Sequence, residues 1–237
     1  MKKVLLVSLL VNCAFLILVI SLIQKRGGVE YIKHKINPPP VNAKAFENVY
    51  YKTRNSVFEV MPIDSQAIVF LGNSIISNCD WAELFANPRI KNRGIGGDIL
   101  PGLIDRIDEI LVARPAMIFV MAGANDLELK FSVSQILSDY KKLIDLIRKG
   151  SPGTKLIVQS VLPTYKDQNR SNDDIQKINS GLLVLSNEYD CTYIDLFSLF
   201  KNENNELDSV YSYDGLHLNG TGYVVWKKEL ERLGFFK

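Results

Sequence analysis

The stretch Ile68-Val69-Phe70-Leu71-Gly72-Asn73-Ser74 decides how the rest of the chain is read. Four consecutive apolar residues, β-branched and aromatic among them, suit a strand covered on both faces. Gly72 lets the backbone turn sharply where the strand ends. The hydroxyl of Ser74 then falls at the carboxyl edge of a sheet, where open α/β folds hold their ligands. A serine in that place is more often a helix cap than a nucleophile, so its meaning depends on what else converges there.

The same pattern recurs further along. Met117 to Met121 is the clearest second strand, and it runs into Ala122-Gly123-Ala124-Asn125-Asp126. Lys155 to Leu162 reads as another strand, Thr192 to Ile194 as a short one, and Arg89 to Asn92 as a weaker one. The last leads into Arg93-Gly94-Ile95-Gly96-Gly97-Asp98, where three glycines in four positions mark unusual dihedrals or a close approach to a ligand. This is not a dinucleotide fingerprint, because the third glycine of G-x-G-x-x-G is missing.

Between the strands, apolar residues recur at helical spacing. Leu103, Ile104, Ile107, Ile110 and Leu111 form one face. Ile136, Leu137, Tyr140, Leu143, Ile144 and Ile147 form a second, with Ser134 as its cap and Gly150 and Pro152 as its stop. Ile175, Ile178, Leu182 and Leu185 form a third between about Asp173 and Glu188, after a polar loop from Pro163 to Asn172. A further helix is expected from Ala43 to Phe58, and a short one after Asp80, the cap of Trp81 to Phe85. Strand and helix alternate, which predicts an α/β domain with a central parallel sheet and helices on both faces.

Composition narrows the chemistry. The 237 residues carry a formal charge of only +2, with no basic run or basic helix face, so nucleic acid is not an expected partner. Three cysteines, Cys13, Cys79 and Cys191, lie far apart, and the two histidines are His34 and His217. That spacing offers neither a zinc site nor a disulfide framework, although pairing of Cys79 with Cys191 stays open.

At the N-terminus, Val4 to Ile23 carries no charged residue and is long enough to cross a bilayer as a helix, which takes ~20 residues. No small-x-small exit precedes Gln24, which favours an uncleaved signal anchor over a cleaved signal peptide across 1–26. Lys2 and Lys3 are answered by Lys25 and Arg26. The first flank usually sets orientation, which places the following domain outside the cytoplasm, at the cell surface or in the periplasm. Residues 27–42 end in Asn37-Pro38-Pro39-Pro40 and read as a stiff linker. The domain proper is expected over 43–237.

His217 lies in Tyr213-Asp214-Gly215-Leu216-His217, and Asp214 stands close enough to hold the second imidazole nitrogen. A hydroxyl needs a base to take its proton, and His217 is the domain's only residue of suitable ordinary pKa. Ser74, His217 and Asp214 thus supply the minimum for acyl transfer. Backbone N–H groups at Ser74 and the glycine-rich turn, with the Asn125 side-chain amide, are the candidate donors to a tetrahedral oxyanion.

Those four stretches resemble the SGNH hydrolase superfamily, or GDSL-type esterases, from about Asn48 to the C-terminus. Gly72-Asn73-Ser74 matches the nucleophile block, Gly97 the oxyanion glycine, Gly123-Ala124-Asn125-Asp126 the form G-x-N-D, and Asp214-Gly215-Leu216-His217 the form D-x-x-H. The Asn92 to Asp98 stretch is most similar to the branch of platelet-activating-factor acetylhydrolases and carbohydrate acetylesterases. Asn73 departs from the frequent G-D-S. The resemblance implies a three-layer α/β/α sandwich of flavodoxin-like topology, catalytic Ser74, Asp214 and His217, oxyanion donors at Ser74, Gly97 and Asn125, and no metal or organic cofactor. The expected reaction is removal of an acetyl or other short acyl group from an extracytoplasmic carbohydrate. A lysophospholipase or thioesterase is the enzymatic alternative, and a non-catalytic binding protein on the same fold the third.

Overall fold

The computed structural model describes residues 46–167 and 169–236, together with Ser8, Asn12, Phe15, Leu16, Ser21 and Gln24. The expected bilayer span lies largely, and the Pro-rich linker entirely, outside the described residues. Among those described, no helix is long and apolar enough to cross a membrane. The chain divides into two compact units, 1–41 and 42–237, and the second carries the sheet.

Five strands, β1 (Ile68–Gly72), β2 (Ile90–Gly94), β3 (Met117–Met121), β4 (Lys155–Gln159) and β5 (Thr192–Ile194), form one sheet in the order β2-β1-β3-β4-β5. Every neighbouring pair is parallel. This is the doubly wound order in which the chain reverses direction beside β1, and the crevice at that point is the expected ligand site.

Every residue of β1 is buried, as a strand covered on both faces requires. On one face Ile68, Phe70, Phe119, Met121 and Ile157 join Trp81, Tyr223, Trp226 and Leu230 in one apolar cluster. Phe70 lies stacked between Trp81 and Phe119, with ring centroids 4.3 and 4.7 Å away. Burying one such side chain is worth ~1.5–3 kcal/mol. The alternate residues Val69, Leu71, Ile118, Val120 and Val158 are fully buried towards the other face.

Among the described residues from 46 onward, the α-helices are α1 (Val49–Glu59), α2 (Ser74–Ser77), α3 (Trp81–Leu84), α4 (Leu100–Asp105), α5 (Ile107–Val112), α6 (Ala124–Glu128), α7 (Val133–Gly150), α8 (Asn172–Glu188), α9 (Phe197–Phe200) and α10 (Gly220–Arg232). Several differ from the sequence expectation. The helix expected to include Ala43 is α1, whose cap is the Asn48 side chain accepting from Tyr51 N at 2.9 Å. Ser132, not Ser134, caps α7: its hydroxyl accepts from Gln135 N while the Gln135 side chain accepts from Ser132 N, a reciprocal box that satisfies two orphan donors. Asp80 precedes α3 but makes no side-chain cap bond.

Strand β4 stops at Gln159 rather than Leu162, because side chains take over from the ladder: Val161 N donates to Asn179 Oδ1, and Ser160 Oγ accepts from Leu196 N and Phe197 N. The single helix expected over 103–111 is broken at Arg106, with φ −106° and ψ 6°, and the Arg106 side chain is buried. Cys79 and Cys191 are both free thiols. Burial pushes the Cys79 thiol up to about 12.

Candidate active site

Register brings the site together. Gly72 at the end of β1 pairs with Gly94 of β2 on one side and Met121 of β3 on the other. Three adjacent strands therefore release Ser74, Gly97 and Asn125 from one edge, each within four residues of a paired position. A Cβ at Gly72 would sit 2.3 Å from the Met121 carbonyl oxygen and 2.6 Å from Ile76 Cγ1, so glycine is required there by the close approach of β3 and α2 rather than by a left-handed turn.

Ser74 opens α2, and Asn73 caps it by accepting from Ile75 N at 3.1 Å. The departure from G-D-S is thus chemically mild here, since a carboxamide oxygen performs the capping that a carboxylate oxygen performs equally well. As the first residue of a helix, Ser74 has a backbone N–H with no carbonyl one turn behind it to meet.

The Asp214–His217 turn is almost self-contained. Asp214 Oδ1 accepts from Leu216 N at 2.9 Å and His217 N at 2.8 Å, which fixes the loop as a side-chain-closed turn. Asp214 Oδ2 lies 2.7 Å from His217 Nδ1, and His217 Nε2 lies 2.9 Å from Ser74 Oγ. The carboxylate only accepts, so the partners assign the proton to Nδ1 and leave Nε2 to accept from the hydroxyl. Burial works against the Asp214 charge, but the His217 side chain and the two backbone donors outweigh it and hold the carboxyl well below its ordinary range. Two residues on, Asn219 caps α10, and Tyr223 on that helix donates to Ile75 O at 2.7 Å. The helix after the histidine is thereby tied to the helix that carries the serine.

Gly97 occupies an exposed corner closed by Asp98 N donating to Ile95 O at 3.2 Å, with φ +77°. That positive φ is what the third position of a type II turn needs, and glycine supplies it without strain. Among the described residues, nothing accepts from the Gly97 N–H. Asn125 is the second residue of α6, half-buried. Its Nδ2 donates to Asp98 O at 2.9 Å, and its Oδ1 faces Arg170 Nη2 at 3.4 Å. With oxygen and one N–H engaged, the amide flip is determined and a single N–H is left over.

Three residues at this edge escaped sequence reasoning. Arg170 donates to Ala124 O at 3.1 Å and pairs with Asp167 at 2.6 Å and Glu128 at 3.1 Å; its only signal was a polar loop long enough to border a pocket. In the sequence Asp126 is only the last residue of the G-x-N-D match, with no role of its own, yet it is fully buried, and its Oδ1 accepts from Leu100 N at 3.0 Å. Burial pushes its carboxyl up to about 7. Arg106 gave no signal, because its spacing placed it in an ordinary amphipathic helix. Among the described residues, no group of three or more His, Cys, Asp or Glu side chains is placed to hold a metal ion.

The structure thus places a hydroxyl, an imidazole and a carboxylate in one hydrogen-bonded line beside spare N–H donors at the edge of a parallel sheet. Comparison with known proteins gives the class of protein to which this arrangement belongs. The GDSL-like lipase/acylhydrolase family model matches residues 70–225. The chain is 26% identical to the platelet-activating factor acetylhydrolase IB subunit alpha1 of Pongo abelii over 173 residues, covering 70% of this chain and 74% of that protein. A match of 27% identity to the N-acylneuraminate cytidylyltransferase of Escherichia coli covers only 40% of that protein. Among solved structures, one reported for a platelet activating factor from Streptococcus pneumonia superposes with a TM-score of 0.70 at 26% identity, covering 77% of this chain and 90% of that one. An acetylxylan esterase from Geobacillus stearothermophilus shares the fold with a TM-score of 0.60 at 16% identity, covering 74% and 96%. The chain belongs to the GDSL-like lipase/acylhydrolase family, and it is a carboxylic ester hydrolase.

Proposed function

We propose that the protein removes acetyl or similarly short acyl groups from a carbohydrate outside the cytoplasm, with Ser74 as nucleophile, His217 as general base and acid, and Asp214 as the group that holds the imidazole. The observation that carries the reading is the unbroken line Oγ–Nε2 at 2.9 Å and Nδ1–Oδ2 at 2.7 Å. His217 takes the Ser74 proton as Oγ attacks the ester carbonyl, and Asp214 stabilises the imidazolium that forms. The N–H groups of Ser74, Gly97 and Asn125 receive the oxyanion. Collapse expels the alcohol, protonated by His217, and water repeats the sequence to release the acid. The expected acetyl preference draws on the family neighbours, one of which is an acetylxylan esterase by its reported name. The extracytoplasmic setting draws on the uncharged run Val4 to Ile23.

The test is hydrolysis of p-nitrophenyl esters from acetyl to long acyl chains, with Ser74→Ala as control. A steep acetyl preference with turnover reduced roughly ten-thousandfold or more in the variant supports the reading. A preference for long chains assigns the site to lipid or thioester substrates instead. Wild-type turnover in Ser74→Ala overturns the nucleophile assignment.

A further inference from the structure

Beneath the oxyanion side of the site lies a charge pair that stability does not explain. The side chains of Asp98 and Arg106 are fully buried, with Arg106 Nε donating to Asp98 Oδ2 at 3.0 Å. A buried ion pair is weak support for a fold, because desolvating both charges offsets their attraction, and well-packed apolar residues of the same volume often do as well. This one is not even fully satisfied: among the described residues, Arg106 Nη1 is buried without a partner. The chain also bends to make it. The expected helix breaks at Arg106, and Gly102 must be glycine, since a Cβ there would meet Asp98 Oδ1 at 2.0 Å.

What the pair touches explains these concessions. Arg106 Nη2 donates to Gly72 O at 3.2 Å and to Arg93 O at 2.8 Å. Gly72 is the last residue of β1, two before Ser74, and Arg93 leads β2 into the glycine turn. Asp98 directly follows Gly97, and its carbonyl accepts from Asn125 Nδ2 at 2.9 Å. One guanidinium and one aspartate therefore link the carbonyls or peptides beside all three candidate oxyanion donors.

We infer that Asp98 and Arg106 are positioning residues for ester hydrolysis: their buried pair fixes the spacing of the Ser74, Gly97 and Asn125 donors so that they close on the tetrahedral oxyanion. The inference rests on the hydrolase reading above. Neither residue touches substrate. Removing the pair leaves the donors present but free to spread, which weakens them where charge develops and leaves ground-state binding unchanged.

The experiment compares the full-length wild type with Asp98→Asn combined with Arg106→Met, and with Arg106→Lys alone. Asparagine keeps an acceptor for Ile99 N, which bonds Asp98 Oδ1 at 2.9 Å, and methionine fills the space without a charge. Each protein is assayed on p-nitrophenyl acetate. Each is also titrated with a small alkylboronic acid, which becomes tetrahedral and anionic on the serine, and with the unreactive amide analogue of the ester. The double variant is expected to fold, to lose about tenfold to a hundredfold in kcat with little change in KM, and to bind the boronic acid more weakly by a similar factor. Its affinity for the amide stays at the wild-type value. Arg106→Lys keeps the charge opposite Asp98 but lacks the fork that reaches two carbonyls, and its kcat falls between the two. Folded variants with wild-type kcat overturn the inference, as do parallel losses on boronic acid and amide. Failure of both variants to fold also overturns it and assigns the pair to stability. Absence of Ser74-dependent turnover in the wild type is a different outcome, which sinks the hydrolase reading itself.

Discussion

The two sides of the site are built by opposite means. The proposed acid–base turn is local and open to solvent: Asp214 and His217 are three residues apart, and the Asp214 side chain is 55% exposed. The proposed oxyanion side is long-range and dry: Asp98, Arg106 and Asp126 are all buried, and their contacts join β1, β2, α4 and α6. The carboxyl groups respond accordingly. His217 and two backbone donors hold Asp214 below its ordinary range, whereas burial pushes Asp98 up to about 6, even against the Arg106 guanidinium, and Asp126 up to about 7. A proton relay tolerates a solvated turn, because hydrogen bonds alone orient it. Donors that stabilise a transient charge gain from fixed geometry in a low dielectric.

The largest expected effect breaks the local side. Asp214→Asn should cost on the order of a thousandfold or more in kcat, because an amide cannot hold the imidazole in the required tautomer. Retention of most activity in steady-state assays would mean that the turn backbone alone orients His217. Next, Asn125→Ala should lower kcat by roughly a hundredfold to a thousandfold, the usual effect of losing one oxyanion donor. A rise in KM at constant kcat would instead place Asn125 in ground-state binding.

A smaller effect reads the buried side through stability. The Asp126 carboxyl, raised to about 7, stays protonated in the fold while the unfolded chain releases its proton near pH 4. Its contribution is therefore most favourable below about pH 4 and declines as pH rises to about 7. Asp98 acts in the same direction up to about 6. Asp126→Asn, which mimics the protonated acid, should flatten the fall in unfolding free energy between pH 4 and 8 by on the order of a few kcal/mol. Denaturant titrations across that range check it, and an unchanged slope would show that Asp126 is charged in the fold. Asp214 has the opposite sign: its depressed value contributes stability above about pH 4 that is lost as pH falls further, and its exposure keeps that contribution small.

The acid–base turn and the strand ends were legible because their signals are short in sequence. Asp214 and His217 lie in one turn, Gly72-Asn73-Ser74 in another, and the apolar runs of β1 and β3 contain few alternatives to a buried strand. Cap positions were less legible: Ser132 and Ser134 are both plausible caps, and only the Gln135 side chain, folding back on Ser132 N, selects between them. Arg106 was invisible because its role depends on carbonyls 13 and 34 residues away in the chain.

The sequence by itself determined the alternation of strands and helices, the placing of Ser74 and Asn125 at strand ends and the residue types gathered there, since apolar period, glycine position and side-chain chemistry are local properties. Only the tertiary structure decided that Ser74 meets His217 across 143 residues, that Asn125 keeps one N–H free, and that Asp98 and Arg106 face each other in the dry interior. Those facts follow from strand register and from how much water the packing excludes, and neither quantity is carried by any one stretch of the chain.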